Sequence, residues 1–147
     1  MMLGCGPGED SPSPVPDAVR HEADSAMAAY LSAQAARDAS LMNTFYLDSP
    51  DFEALMNGSR QDLNETRRSN VEYYGSLRSI TGGFTHLRTV VVGSEVVVVS
   101  GMRDQSMMDT LGVAVRHTGA ASWVWVKRSD RWRILQISSH FDQTPGQ

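Results

Sequence analysis

The chain has 147 residues, 41% of them hydrophobic and 20% charged, with a net charge of −4. That length buries a core without covalent staples, and that balance fits a folded domain rather than a disordered chain. An acidic surplus without a long basic block excludes recognition of nucleic acid by phosphate neutralisation, and a single cysteine excludes an internal disulfide or a cysteine-rich zinc site.

The first fifteen residues read as a tail or tether. Pro7 to Pro14 is a Pro/Ser/Gly segment that packs against nothing. Gly4-Cys5 ahead of it resembles the end of a bacterial lipoprotein signal peptide, without the basic and apolar regions that export requires. As written the sequence reads as cytoplasmic. A lipoprotein anchored at Cys5 is the alternative if the true start lies upstream. No apolar stretch approaches the ~20 residues needed to span a bilayer.

Pro16 suits the first turn of a helix, where its missing N–H is no loss. Val19, Ala23, Ala26 and Tyr30 recur at helical steps, and nine alanines between Ala18 and Ala39 make a slim helix suited to lying on a sheet. The pattern runs on towards Phe45 with a break near Asp38. Tyr46 to Pro50 is a connection. Phe52 to Met56 is a short apolar run closed by the turn signal Asn57-Gly58. Ser59 with Asp62 resembles a capping box, which opens a polar surface helix from Ser59 to about Ser79, ended by Thr81-Gly82-Gly83.

Beyond Gly83 the composition turns to β. Strands are predicted over Phe84–Val92, Glu95–Asp104, Leu111–His117, Ser122–Lys127 and Trp132–Phe141. Gly93-Ser94 and Thr118-Gly119 read as hairpin breaks, and Gln105 to Thr110 as a loop carrying Met107 and Met108. Helices followed by an antiparallel meander indicate an α+β domain over residues 16–142, with residues 143–147 a C-terminal tail.

The last hairpin is where a site is sought. Strict alternation puts Trp132, Ile134, Gln136, Ser138 and His140 on one face of the final strand, which starts apolar and ends in an imidazole. His140 is then the candidate acid/base, with Gln136 and Ser138 to orient a polar ligand. The competing reading is a solvated histidine beside a chain terminus. Tyr30 projects from an apolar helix stripe, either as a hydroxyl donor to an oxyanion or as a core tyrosine bonded to backbone. Asp104, at a predicted strand end, is a base if apolar neighbours raise its pKa, or a turn residue. Trp123 shares a face with Trp125 and Lys127. That face is a pocket wall if concave and a dimer surface if convex, and the preference of Lys127 for water favours the second. His21, His86 and His117 lie on separate elements without ligand spacing, so no metal site is expected.

Tyr30 with Ala33 and Asp38, Asp51-Phe52 with Asn57-Gly58, and Ser122-Trp123-Val124-Trp125 with Trp132-Arg133-Ile134 and His140 resemble, in this order, the SnoaL-like proteins of the NTF2-like superfamily. The resemblance spans Pro16 to Asp142. It implies an NTF2-like cone: a strongly curved antiparallel sheet with the N-terminal helices packed on its concave face and a cavity at one end. It also implies frequent dimerisation through the sheet. The resulting expectation is a homodimeric binder of a small, partly apolar molecule, as a cofactor-free isomerase, cyclase or dehydratase. Its catalytic candidates are His140 and Tyr30, and its ligand-binding candidates are Gln136, Ser138, Asp104 and Trp123. The alternative is a non-catalytic association domain, since one fold hosts many functions.

Overall fold

The computed structural model describes residues 16–146; Cys5 and the N-terminal segment around it lie outside them. Helix α1 (Pro16–Ala35) and the short α2 (Ala39–Asn43) are separated at the predicted break. Arg37 takes a left-handed conformation there, and Asp38 caps α2 by accepting from the Leu41 N–H at 2.9 Å. A hairpin follows, β1 (Glu53–Met56) and β2 (Ser59–Gln61), turned by Asn57 and Gly58, both at positive φ. Helix α3 (Leu63–Gly75) leads into four long strands: β3 (Leu77–Gly93), β4 (Val96–Asp109), β5 (Ala114–Arg128) and β6 (Arg131–Pro145).

The six strands form one sheet in the order β2-β1-β6-β5-β4-β3, with β1 parallel to β6 and the remaining pairs antiparallel. The sheet curves without closing, and the core fills its concave side. There Val19, Ala23, Met27 and Tyr30 of α1 pack with Val97, Val99, Trp123 and Trp125 of the sheet. One α+β layer wrapped around its helices buries both the apolar helix stripe and the inner strand face.

Several predicted boundaries move. The capping box forms one turn later than the sequence suggests, between Asp62 and Glu65, because Ser59 to Gln61 is taken up as strand β2. Helix α3 ends at Gly75, and β3 runs straight through the Gly82-Gly83 pair that looks like a terminator. Gly82 has φ +78°, and a Cβ there would lie 2.3 Å from the Asp104 carbonyl oxygen. It is a bend inside a long strand. Likewise β4 continues through Gln105 to Asp109, β5 passes through Thr118-Gly119, and β6 extends to Pro145, where it still pairs with Val115. Short strands separated by breaks are therefore four long, bent ones.

The largest consequence comes from one residue. In the β5–β6 ladder Ile134 pairs with Trp125 and Gln136 with Val124, which leaves Leu135 unopposed. The bulge falls where the other neighbour of β6 changes, from the Phe45–Leu47 segment bonded to Ile134 to strand β1 at Gln136. One extra residue reverses the facing of everything after it. Trp132 and Ile134 point into the core, and beyond the bulge Ile137 and Ser139 do so in place of Gln136, Ser138 and His140.

Candidate functional site

Between α1, α3 and the lower half of the curved sheet lies a cavity of about 430 Å³, within the size range of small-molecule sites. Its wall combines aromatic and aliphatic groups with a set of buried polar ones. The long strands position these by plain alternation. Val97, Val99, Gly101, Arg103, Gln105 and Met107 face inward from β4, and their partners on β5 run from Trp125 back to Val115 in register.

Arg103 is the unusual member. It is 7% exposed, and no carboxylate pairs with it among the described residues. Its Nε donates to Gln105 Oε1 at 2.8 Å, Gln105 Nε2 to Gln34 Oε1 at 3.2 Å, and Gln34 Nε2 to the Tyr74 hydroxyl at 2.9 Å. This chain of amides turns an oxygen towards the cation at each step. It leaves the Tyr74 hydroxyl proton free for a further acceptor. The guanidinium carbon sits 4.5 Å from the centre of the Phe141 ring and 5.8 Å from that of Phe84. Gly119 lies in register between Arg103 and Phe141, so no side chain separates them. Burial lowers the proton affinity of Arg103, which the tyrosines Tyr74, Tyr73 and Tyr30 partly restore.

His117 stacks on the same Phe141 ring, with centroids 4.4 Å apart. Burial, and then the charge of Arg103, lower its pKa to about 4, against a smaller opposing contribution from Gln143. It is therefore neutral at pH 7, and its Nδ1 is buried without a hydrogen-bond partner among the described residues. The Ser139 hydroxyl is buried in the same condition, and both residues line the cavity. Buried polar atoms normally find partners, so two such orphans on residues of one cavity wall are unusual.

Tyr30 and Trp123 line this cavity. The Tyr30 hydroxyl is 3.3 Å from that of Tyr46, which accepts from Asn70 Nδ2 at 2.6 Å. Burial holds the Tyr30 hydroxyl well above its usual pKa and pushes Tyr46 up to about 12, so both stay protonated donors. Trp123 and Trp125 are buried on the concave side rather than on a convex dimer surface. Lys127 is no obstacle to that, because Glu22 of α1 meets its ammonium at 2.8 Å and also accepts from Trp132 Nε1 at 3.0 Å.

The other predicted site residues stand elsewhere. Beyond the bulge His140 and Ser138 are exposed on the outer face, with Gln136 half-buried beside them. Asp104 also points outward, where the Arg116 guanidinium grips it through two hydrogen bonds, 2.8 and 2.7 Å, and holds its carboxyl below the usual range. Such a group is a poor base. What the sequence reading passed over is Arg103, Gln105, His117 and Ser139. Counting alternation from Val97 and Val99 puts Arg103 on the same inner face already within the predicted strand, and the supposed loop at Gln105 stopped the count before Gln105 and Met107.

Among the described residues no group of three His, Cys, Asp or Glu side chains is arranged to hold a metal ion, and no helix is long and apolar enough to cross a membrane. Among the described residues no Asp or Glu lines the cavity.

No family model matches the sequence, and no curated protein matches it significantly. Solved structures do. A candidate dehydratase of the NTF2-like family from Streptomyces avermitilis superposes with a TM-score of 0.74 at 17% identity, over 85% of this chain and 97% of that one. The fold is NTF2-like. A candidate scytalone dehydratase from Novosphingobium aromaticivorans gives 0.77 at 12% identity, over 90% and 91% of the two chains. The hexachlorocyclohexane dehydrochlorinase LinA-type3 of Novosphingobium barchaimii gives 0.70 at 13%, over 88% and 93%. The NTF2-like cone, with its helices on the concave face, is thus the architecture of this chain.

Proposed function

We propose that the protein binds a small, partly apolar molecule in the cavity of its NTF2-like cone and moves a proton on it without a cofactor, as in an elimination of water or an isomerisation. The observation that carries this reading is the pairing, in one cavity, of a neutral His117 whose buried Nδ1 is unpartnered with a buried Arg103 that meets no carboxylate, both among the described residues. His117 would take the proton from a carbon next to a carbonyl. The negative charge then develops on an oxygen beside Arg103 and a tyrosine hydroxyl, which raises the basicity of the imidazole as the reaction proceeds. In an elimination the same proton leaves with the departing hydroxyl, as water. Structural neighbours named as dehydratases and a dehydrochlorinase fit this class of chemistry.

The second reading, a binding or association domain without turnover, draws support from the missing carboxylate. A histidine of pKa about 4 is a weak base. Incubating a panel of β-hydroxy and unsaturated carbonyl compounds with the protein in D₂O and following C–H exchange by NMR separates the two. Exchange that is present in the wild type and lost in His117→Gln supports proton transfer. Exchange equal in both proteins removes His117 from its role, and binding without exchange leaves the second reading.

A further inference from the structure

The cavity wall holds one full positive charge and no negative one among the described residues. Taking a guanidinium out of water without a counter-ion is costly, and natural cores rarely accept that cost for packing alone. The amide chain from Gln105 through Gln34 to Tyr74 engages Nε only. The two terminal nitrogens make no hydrogen bond to the described residues, and the planar pair suits two oxygens held side by side. Independently, His117 Nδ1 and the Ser139 hydroxyl are buried without a hydrogen-bond partner among the described residues, and both residues, 5% and 6% exposed, line the same cavity. The remaining wall, with Phe84, Trp123 and Ile137 among its members, is apolar.

We propose that the ligand is a small carboxylate with an aromatic or otherwise flat apolar body, its two oxygens on the terminal nitrogens of Arg103 and its body against Phe84 and Trp123. This rests on the reading of the cavity as the functional site, and it names the substrate class of that site. The carboxylate supplies the missing counter-ion, and with Arg103 neutralised the imidazole of His117 regains proton affinity. The groups that face His117 are Arg103 from β4, with Phe141 and Gln143 from β6; the tyrosines Tyr73 and Tyr74 of α3 bear on Arg103. None of these is acidic, so an anion that enters the cavity beside Arg103 adds to the small raising contribution of Gln143 and increases the proton affinity of His117. Binding therefore takes up a proton in mildly acidic solution.

Isothermal titration with benzoate, phenylacetate and the matching neutral amides tests this, in buffers of different ionisation enthalpy at about pH 5.5. The carboxylates are expected to bind and the amides not. Arg103→Gln should lose about 10- to 100-fold in carboxylate affinity, the worth of a charge-assisted pair, and Arg103→Lys, which keeps the charge and loses the fork, should fall between. The proton uptake that accompanies carboxylate binding should vanish in His117→Gln. Thermal melts of each variant establish that it is folded. Amides that bind as well as carboxylates, or an Arg103→Gln protein that keeps its affinity, overturn the anionic ligand and leave the cavity reading standing. If no carboxylate, amide or carbonyl compound binds the folded wild type, both readings fall.

Discussion

Acid should weaken this fold through His117, and replacing that one side chain should remove the effect. The pKa of His117 falls from an ordinary 6.5 to about 4 in the folded chain. Above pH 6.5 the imidazole is neutral in both the folded and the unfolded protein and contributes nothing. Between pH 6.5 and 4 the unfolded chain takes up a proton that the folded one refuses, so stability drains away as pH falls through that window. A shift of that size corresponds to about 3 kcal/mol at full strength, and water entering the mouth of the cavity reduces it to roughly half. For a domain of this length that is about 3–6 °C in Tm. Melting curves of wild type and His117→Gln at pH 7.5 and 4.0 isolate the contribution, because the acid loss from paired carboxylates such as Asp104 and Glu22 is common to both proteins. The difference between the two melting temperatures should move in favour of the variant by that amount on acidification. Parallel curves would mean that His117 titrates as in water, and the buried, neutral imidazole would have to be given up.

Three further outcomes follow from the same geometry. His140→Ala should leave stability at pH 7.5 unchanged, since His140 is exposed on the outer face; a fall above about 1 kcal/mol, measured by urea denaturation, would contradict the bulge at Leu135. Gly119→Ala should cost at least about 2 kcal/mol by the same measurement, because its Cβ would meet the His140 carbonyl oxygen at 2.1 Å and backbone cannot step aside as a side chain can. Light scattering should report a homodimer, since Val98 and Val124 lie in register on the outer face and Met102 beside them is 51% exposed; a monomer at high micromolar concentration would refute it.

The fold was readable from the sequence because its signals are redundant. The Ala-rich helix, the Asn57-Gly58 turn and the Ser129-Asp130 hairpin, both of whose residues have positive φ, each agree with their neighbours. The facing of the final strand's candidate residues was not, because it hangs on parity, and parity is lost at a single residue. Nothing about Leu135 in the sequence marks it as the extra one. The bulge arises where β6 exchanges one neighbouring segment for another, which is a fact of tertiary pairing. Glycine misled for a related reason. Gly82 looks like the end of a helix and Gly119 like a hairpin break, yet each sits inside a long strand at a point where a neighbouring backbone comes too close for a Cβ. The break at Gly119 cut β5 short in the reading, and the supposed loop from Gln105 to Thr110 cut β4 short, so Arg103, Gln105 and His117 were not seen as one inward set. Those breaks and the polar cavity are connected physically. The side-chain-free position at Gly119 leaves the guanidinium of Arg103 facing the Phe141 ring, which also carries His117. A strand that stopped at Thr118 would have no such place for a buried cation.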